Sequence, residues 1–128
     1  MWYQRSLSIP SDWNSKKILL HFGAVDYTAE IYIDGRLISV HHGGSSPFSI
    51  DISHITKPGS THNLVVSVSD DIHSGLQASG KQSHQPNSFA CFYTRVTGIW
   101  QTVWMEAISP YGLKSAETYP NIDQNQLV

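Results

Sequence analysis

Apolar residues along this chain recur at every second position far more often than at every third or fourth. Ile18, Leu20 and Phe22 alternate with Leu19 and His21, and Ala29, Ile31 and Ile33 alternate with Glu30 and Tyr32. Leu64, Val66 and Val68 repeat the pattern, as do Val103, Met105 and Ala107 against Trp104 and Glu106. Side chains two apart share one face of a strand, so each run predicts a strand with an apolar face turned to a core. Trp2 to Ile9, Leu37 to His41 and Phe48 to Ile52 add shorter candidates, and helical periodicity is almost absent. Asp34-Gly35 separates two of the runs. That pair accepts the positive φ angles of a tight turn and predicts a hairpin over 28–41. Pro10-Ser11-Asp12, the stretch Gly43 to Pro47, and Lys57-Pro58-Gly59 punctuate the other runs. About seven short strands, each with one apolar face, have to pack face to face, which predicts an all-β sandwich.

Two regions break the alternation. From Asp70 to about Asn87 the chain is polar, bears Gly75 and Gly80 and has no period; long structureless loops inside a domain are uncommon and are often functional. Beyond Pro110, residues 112–118 predict the beginning of a strand, residues 119–123 a turn, and Leu127-Val128 close the chain as an apolar pair.

Composition narrows the candidates for function. With 128 residues the chain has the length of one domain, enough for a single core. Eight Lys and Arg against ten Asp and Glu leave a net charge of −2, so the basic footprint of a nucleic-acid binder is missing and nucleic acid is not an expected partner. No apolar run approaches the ~20 residues of a membrane span, and the first residues lack the apolar stretch of a signal peptide. A membrane is therefore not an expected partner, and the compartment stays unassigned. Cys91 is the single cysteine; it has no disulfide partner within the chain and reads as a half-buried core residue.

Several chemistries can be weighed residue by residue. Glycoside hydrolysis uses two carboxyl groups flanking the scissile bond, and Glu30 with Glu106 is formally such a pair. Both, however, alternate strictly with apolar neighbours, which reads more simply as two solvent-facing strand residues. Among the seven histidines, His41-His42 and His73 with His84 invite a metal reading, but adjacent strand residues point to opposite faces and cannot readily share an ion. No metal or other cofactor is expected. The chain lacks a Gly-x-Ser-x-Gly elbow, and neither Gly43-Gly44 nor Gly75 leads into a helix that would cradle a phosphate. What remains is an aromatic and amide-rich group: Trp100, Trp104, Phe92 and Tyr93, close in sequence to the loop that carries Lys81 and Gln82. Flat rings and planar hydrogen-bonding groups suit a sugar; the alternative is that the rings fill the core.

The wording of the sequence is more specific than its pattern. Trp2-Tyr3-Gln4-Arg5, the stretch Ile18 to Tyr27, Ile33-Asp34-Gly35, His41-His42-Gly43-Gly44 with Pro47-Phe48, and the stretch Tyr93 to Glu106 with its Gly-Ile-Trp-Gln-Thr-Val-Trp run stand in the order of one family. Over about residues 2–109 the chain resembles the N-terminal sugar-binding domain of glycoside hydrolase family two, the β-galactosidase and β-glucuronidase family. The resemblance implies a jelly-roll β-sandwich of the galactose-binding-domain type over residues 1–110 that lacks its first strands. It implies for 111–128 a linker and the start of an immunoglobulin-like domain. The family's catalytic glutamates lie in a (β/α)₈ barrel beyond that domain, so the resemblance implies no catalytic residue here and suggests a fragment. It implies a non-catalytic domain of a retaining exo-β-glycosidase, most like a β-galactosidase. Its partners would be the immunoglobulin-like and barrel domains of the parent and the β-glycoside substrate. The alternative is a stand-alone carbohydrate-binding module or lectin. By this resemblance Asp34, Lys81, Gln82, Phe92 and Tyr93 are the substrate-binding candidates. Two of them depart from well-known members: Asp34 stands where those carry Asn, and Phe92 where those carry an Asp that contacts the sugar. A sandwich lacking its first strands exposes an edge, which favours self-association.

Overall fold

Two antiparallel sheets face each other across an aliphatic core in the computed structural model, which describes residues 1–113 and 115–127. In chain order the strands are β1 (Trp2–Ser8), β2 (Lys17–Phe22), β3 (Val25–Asp26), β4 (Thr28–Ile33), β5 (Arg36–His42), β6 (Phe48–Asp51), β7 (Thr61–Ser69), β8 (Gly98–Ile99), β9 (Val103–Ile108), β10 (Pro120–Asn121) and β11 (Gln126–Leu127). One sheet runs β1-β7-β4-β5 and the other β6-β2-β9, while β3 with β8 and β10 with β11 form short separate pairs. The fold is an all-β sandwich; among the described residues the one helical element is a 3₁₀ turn at Ser11–Trp13.

The core is what the alternation predicts. Ile18, Leu20 and Phe22 of β2, Ala29, Ile31 and Ile33 of β4, and Leu64, Val66 and Val68 of β7 are all buried and belong to one cluster. Val103 and Met105 of β9 pack against it from its margin. Burying a side chain of this size is worth about 1.5–3 kcal/mol, so these three strands supply most of the driving force for closing the sandwich. The Asp34-Gly35 turn has φ of 50° and 78° at its two residues, the left-handed pair that a twisted hairpin requires and that an Asp-Gly dipeptide tolerates. One register shift between β4 and β5 sets Ile31 opposite Ser39 and Tyr32 opposite Leu37, leaving Ile38 between them to pack on the core.

Along the free edges of β1 and β9 the two sheets do not close. A cleft of about 390 Å³ there is lined by Arg5, Leu20, Leu64, Val103 and Met105, and a neighbouring one of about 250 Å³ by Tyr3, Phe22, Val66 and Ile99. Neither β1 nor β9 has a second strand partner among the described residues.

The structure differs from the sequence reading in four respects. Cys91 is exposed rather than half-buried, because it sits in the turn where Phe89 and Phe92 exchange backbone hydrogen bonds. The irregular loop does not end near Asn87 but continues to the start of β8, with only isolated bridges at Gln82–Tyr93 and Phe89–Phe92. Residues 112–113 and 115–118 carry no strand; Lys114, within that expected strand, and Val128 of the terminal apolar pair lie outside the described residues. The turn expected at 119–123 is displaced to the residues between β10 and β11.

Candidate functional site

One end of the sandwich gathers β3, β8, the Gly43–Pro47 segment and the 70–97 loop. The pairing dictates this: Thr28, at the start of β4, lies opposite Ser69 at the end of β7 and opposite His42 at the end of β5. Everything that follows β5 and β7 therefore emerges beside the chain that precedes β4.

The loop is tied to this end by polar contacts. Gln82 is 4% exposed. Its Nε2 donates to Asp26 Oδ2 at 2.9 Å, and its Oε1 accepts from the backbone N–H of Val96 at 2.9 Å. Tyr93 N–H donates to the Lys81 carbonyl at 3.0 Å and Ser83 N–H to the Tyr93 carbonyl at 2.7 Å, so the two arms of the loop run side by side. Ser83 is fully buried, and its hydroxyl donates to the Asn87 carbonyl at 2.9 Å. Asp70 accepts from Thr97 Oγ1 at 3.2 Å and from the Gln77 amide. Burial, and then the negative charge of Asp70, raise the Asp26 carboxyl above its ordinary value, while the Gln82 hydrogen bond pulls it back.

Four of the five expected site residues meet here. Lys81 and Tyr93 are exposed, Phe92 is half-buried, and Gln82 is buried beneath them. Phe92 packs on Phe89 with ring centroids 5.1 Å apart and on His84 at 6.1 Å. Asp34 is not among them. It occupies the turn at the far end of β4, and β4 separates it from the loop by about 17 Å at the usual ~3.3 Å rise per residue. Its Oδ1 accepts from Asn63 N–H at 2.8 Å and its Oδ2 lies 2.6 Å from His62 Nδ1. Since Lys57 N–H donates to His62 Nε2 at 3.2 Å, Nδ1 is the nitrogen that carries the proton toward Asp34. The Asn63 N–H, and then His62, hold the Asp34 carboxyl below its ordinary value.

Beside the loop end lies an open groove of about 610 Å³ lined by Gly23, Ser45, Pro47, Trp100, Gln101, Thr102 and Trp104. Trp100 is 52% and Trp104 44% exposed, so these rings do not fill the core. Trp100 Nε1 donates to the Gly44 carbonyl at 2.7 Å, and Trp104 stacks on His21 at 4.8 Å. Both indoles are thereby fixed with part of their faces free.

Glu30 and Glu106 fall on the outer faces of opposite sheets, with the core between them. Glu30 accepts from Tyr32 Oη at 3.0 Å, which raises the Tyr32 phenol. Glu106 Oε1 lies 3.1 Å from His21 Nε2, without the alignment of a hydrogen bond, while His21 Nδ1 pairs with Ser49 Oγ at 2.7 Å. Sequence reasoning did not single out Asp26 or Asp70 as site residues, and it read Gly44 only as part of a turn; their roles rest on contacts between distant segments.

Comparison with known proteins agrees with this fold. Residues 1–106 match the family model described as glycosyl hydrolases family 2, sugar binding domain. A β-galactosidase of Thermoanaerobacter pseudethanolicus is 27% identical over 126 residues, which is 98% of this chain and 16% of that protein. A β-glucuronidase of Streptococcus agalactiae is 37% identical over 49 residues, 38% of this chain and 8% of that protein. Among solved structures, a Ruminococcus gnavus β-glucuronidase superposes with a TM-score of 0.60 at 26% identity, covering 84% of this chain and 19% of that one. The chain thus spans less than a fifth of the length of each of these relatives.

Proposed function

Because the chain belongs to the sugar-binding domain family of the family 2 glycosyl hydrolases, we propose that it serves as the non-catalytic N-terminal domain of a retaining exo-β-glycosidase of the β-galactosidase type. In this reading residues 1–110 form the domain, and residues 111–128 lead toward an immunoglobulin-like domain and a catalytic barrel. The sandwich packs on that barrel, and its loop end, with Lys81, Phe92 and Tyr93 outermost, contributes to the rim of the pocket for a β-glycoside. Asp34, with both carboxylate oxygens engaged by β7, serves the hairpin in this reading and not the sugar.

The observation that carries the non-catalytic role is the placement of the two carboxylates. A retaining mechanism needs an acid/base and a nucleophile about 5–5.5 Å apart, whereas Glu30 and Glu106 are divided by a sandwich core about 10 Å thick. A second reading, a self-sufficient carbohydrate-binding module, is favoured by one feature: the groove between Trp100 and Trp104, where two partly free indole faces stand beside the Gln101 amide and the Thr102 hydroxyl.

Calorimetric titration of the chain with galactosides and glucuronides separates the two. The accessory role is expected to give no heat of binding, whereas millimolar binding abolished by Trp100→Ala would favour the module. Turnover of a nitrophenyl β-glycoside by the chain, lost in Glu106→Gln, would overturn both.

A further inference from the structure

Gln82 stands in the sequence as one amide in a polar loop, yet its surroundings are those of a built joint. It is 4% exposed, and both ends of its amide are used. The donor end meets Asp26 of β3, and the acceptor end meets the N–H of Val96 on the returning arm of the loop, each at 2.9 Å. The assignment of the two ends is not free. A backbone N–H can only donate and a carboxylate can only accept, so the amide has one orientation that satisfies both. Asp26 itself is packed against Gly44: a Cβ at Gly44 would stand 2.9 Å from Asp26 Cγ and closer still to Oδ1. Scaffold, outgoing arm and returning arm therefore meet in one side chain.

We propose that Gln82 is a positioning residue, the clamp that joins Asp26 to Val96 and so sets how Lys81, Phe92 and Tyr93 are presented at the loop end. The proposal rests on the accessory-domain reading for what those three side chains face. The clamp itself stands on the geometry alone. On either side of Gln82 the chain is held to the returning arm by backbone bonds, Tyr93 N–H to the Lys81 carbonyl and Ser83 N–H to the Tyr93 carbonyl. A displacement at Gln82 thus moves Lys81 and Tyr93 together. Two carboxylates border the joint, Asp26 directly and Asp70 through its charge. Asp70 is occupied by Thr97 and Gln77. Elsewhere on this loop the Asp71 carboxylate accepts from the His73 backbone N–H at 3.2 Å, and Arg95 Nη1 lies 3.2 Å from His73 Nε2.

The single cysteine offers a reporter that needs no ligand. Cys91 is exposed and lies in the turn immediately before Phe92 and Tyr93, so a nitroxide attached there reads the mobility of the returning arm. In the unsubstituted chain the label is expected to be restricted across pH 4–8. Gln82→Met keeps the length of the side chain and removes both hydrogen bonds. It is expected to mobilise the label and to speed exchange of the Val96 and Tyr93 amides about tenfold or more. Gln82→Glu supplies the test that a merely space-filling role would not pass. Ionised, it loses the donor and adds a third negative charge beside Asp26 and Asp70, which is expected to release the arm toward the alkaline end of the range. Protonated, its O–H donates to Asp26 and its carbonyl accepts from Val96, and the arm is expected to be restricted again as pH falls through the value of this carboxyl, which burial and the neighbouring carboxylates raise above that of a free Glu. An unchanged spectrum in Gln82→Met, or a Gln82→Glu spectrum that does not vary with pH, would overturn the clamp. Failure of the sugar-rim reading shows in the calorimetric titration and leaves this spectrum untouched.

Discussion

Gly44→Ala probes the loop joint from its scaffold side. A Cβ there would stand 2.9 Å from Asp26 Cγ and nearer still to Oδ1, closer than unbonded carbons tolerate, and Gly44 does not need a positive φ. The added methyl group is therefore compatible with its own backbone and incompatible with Asp26. Two responses are open: the methyl group overpacks the site, at about 1–3 kcal/mol, or Asp26 rotates away and surrenders the Gln82 bond, a partly exposed charged hydrogen bond worth about 1.5–3 kcal/mol. Only one of these is needed. Reduced entropy of the unfolded chain returns about 0.4–1 kcal/mol for a Gly→Ala change at a compatible backbone angle, which leaves a net loss of about 1–2 kcal/mol. At about 2.1 cal/mol/K of melting entropy per residue, a chain of 128 residues is expected to lose about 4–7 °C in Tm.

The double variant isolates the cause. In an Asp26→Ala background the obstructing carboxylate is gone, so adding Gly44→Ala is expected to cost nothing further and to show the small entropic gain instead. Scanning calorimetry on the four proteins of this cycle, with hydrogen exchange over residues 70–97, measures both quantities. A Gly44→Ala chain that melts like the parent with unchanged loop protection would refute the reasoning, and so would additive losses in the double variant.

Three further outcomes follow from the same geometry. Asp34→Ala is expected to lower Tm at neutral pH. Because the Asp34 carboxyl titrates below its ordinary value of 3.8 when folded, its stabilising contribution is present above that pH and fades as pH falls through the folded value. The Tm difference between the parent and Asp34→Ala should therefore close in acid, and a difference constant down to pH 2 would contradict it. Ile31→Ala, at a fully buried position, is expected to cost about 2–5 kcal/mol in chemical denaturation, whereas Trp104→Ala, at a half-exposed one, should cost less despite removing a larger ring. The open edges of β1 and β9 are expected to give a sedimentation coefficient that rises with concentration, and a strict monomer at every concentration would count against it.

The strands were legible because their information is local. Period-two apolar runs name the buried face of β2, β4 and β7 directly, and Asp34-Gly35 names the hairpin between β4 and β5. Trp104 shows how two local signals compete. Residue type alone places a Trp inside, but Trp104 alternates out of phase with Val103 and Met105, which puts it on the outer face, where it stacks on His21. The alternation was the better guide, since the core was already filled by β-branched and leucine side chains at the inward positions. The loop was legible only as an interruption. Phe92, Tyr93 and Val96 resemble strand residues in isolation, yet the backbone at Phe92 and Tyr93 makes only single bridges and the Val96 N–H bonds the Gln82 side chain, and nothing in the local pattern announces that.

Asp26 and Asp34 show why the site itself was harder to read than the fold. Asp26 closes the short β3 and Asp34 follows β4, and the turn made Asp34 the more conspicuous candidate. Its two oxygens each take one hydrogen bond, from Asn63 and His62, neighbours brought in by the pairing of β4 with β7, at the end of the sandwich away from the 70–97 loop. Asp26 meets a partner 56 residues away, and that partner, Gln82, is set apart from most of the polar residues around it by being buried, as is its neighbour Ser83. Local sequence could propose which residue types belong at the loop end. Which of them face outward and which hold the others in place follows from long-range pairing: Lys81 and Tyr93 are exposed, while Gln82 is buried against Asp26.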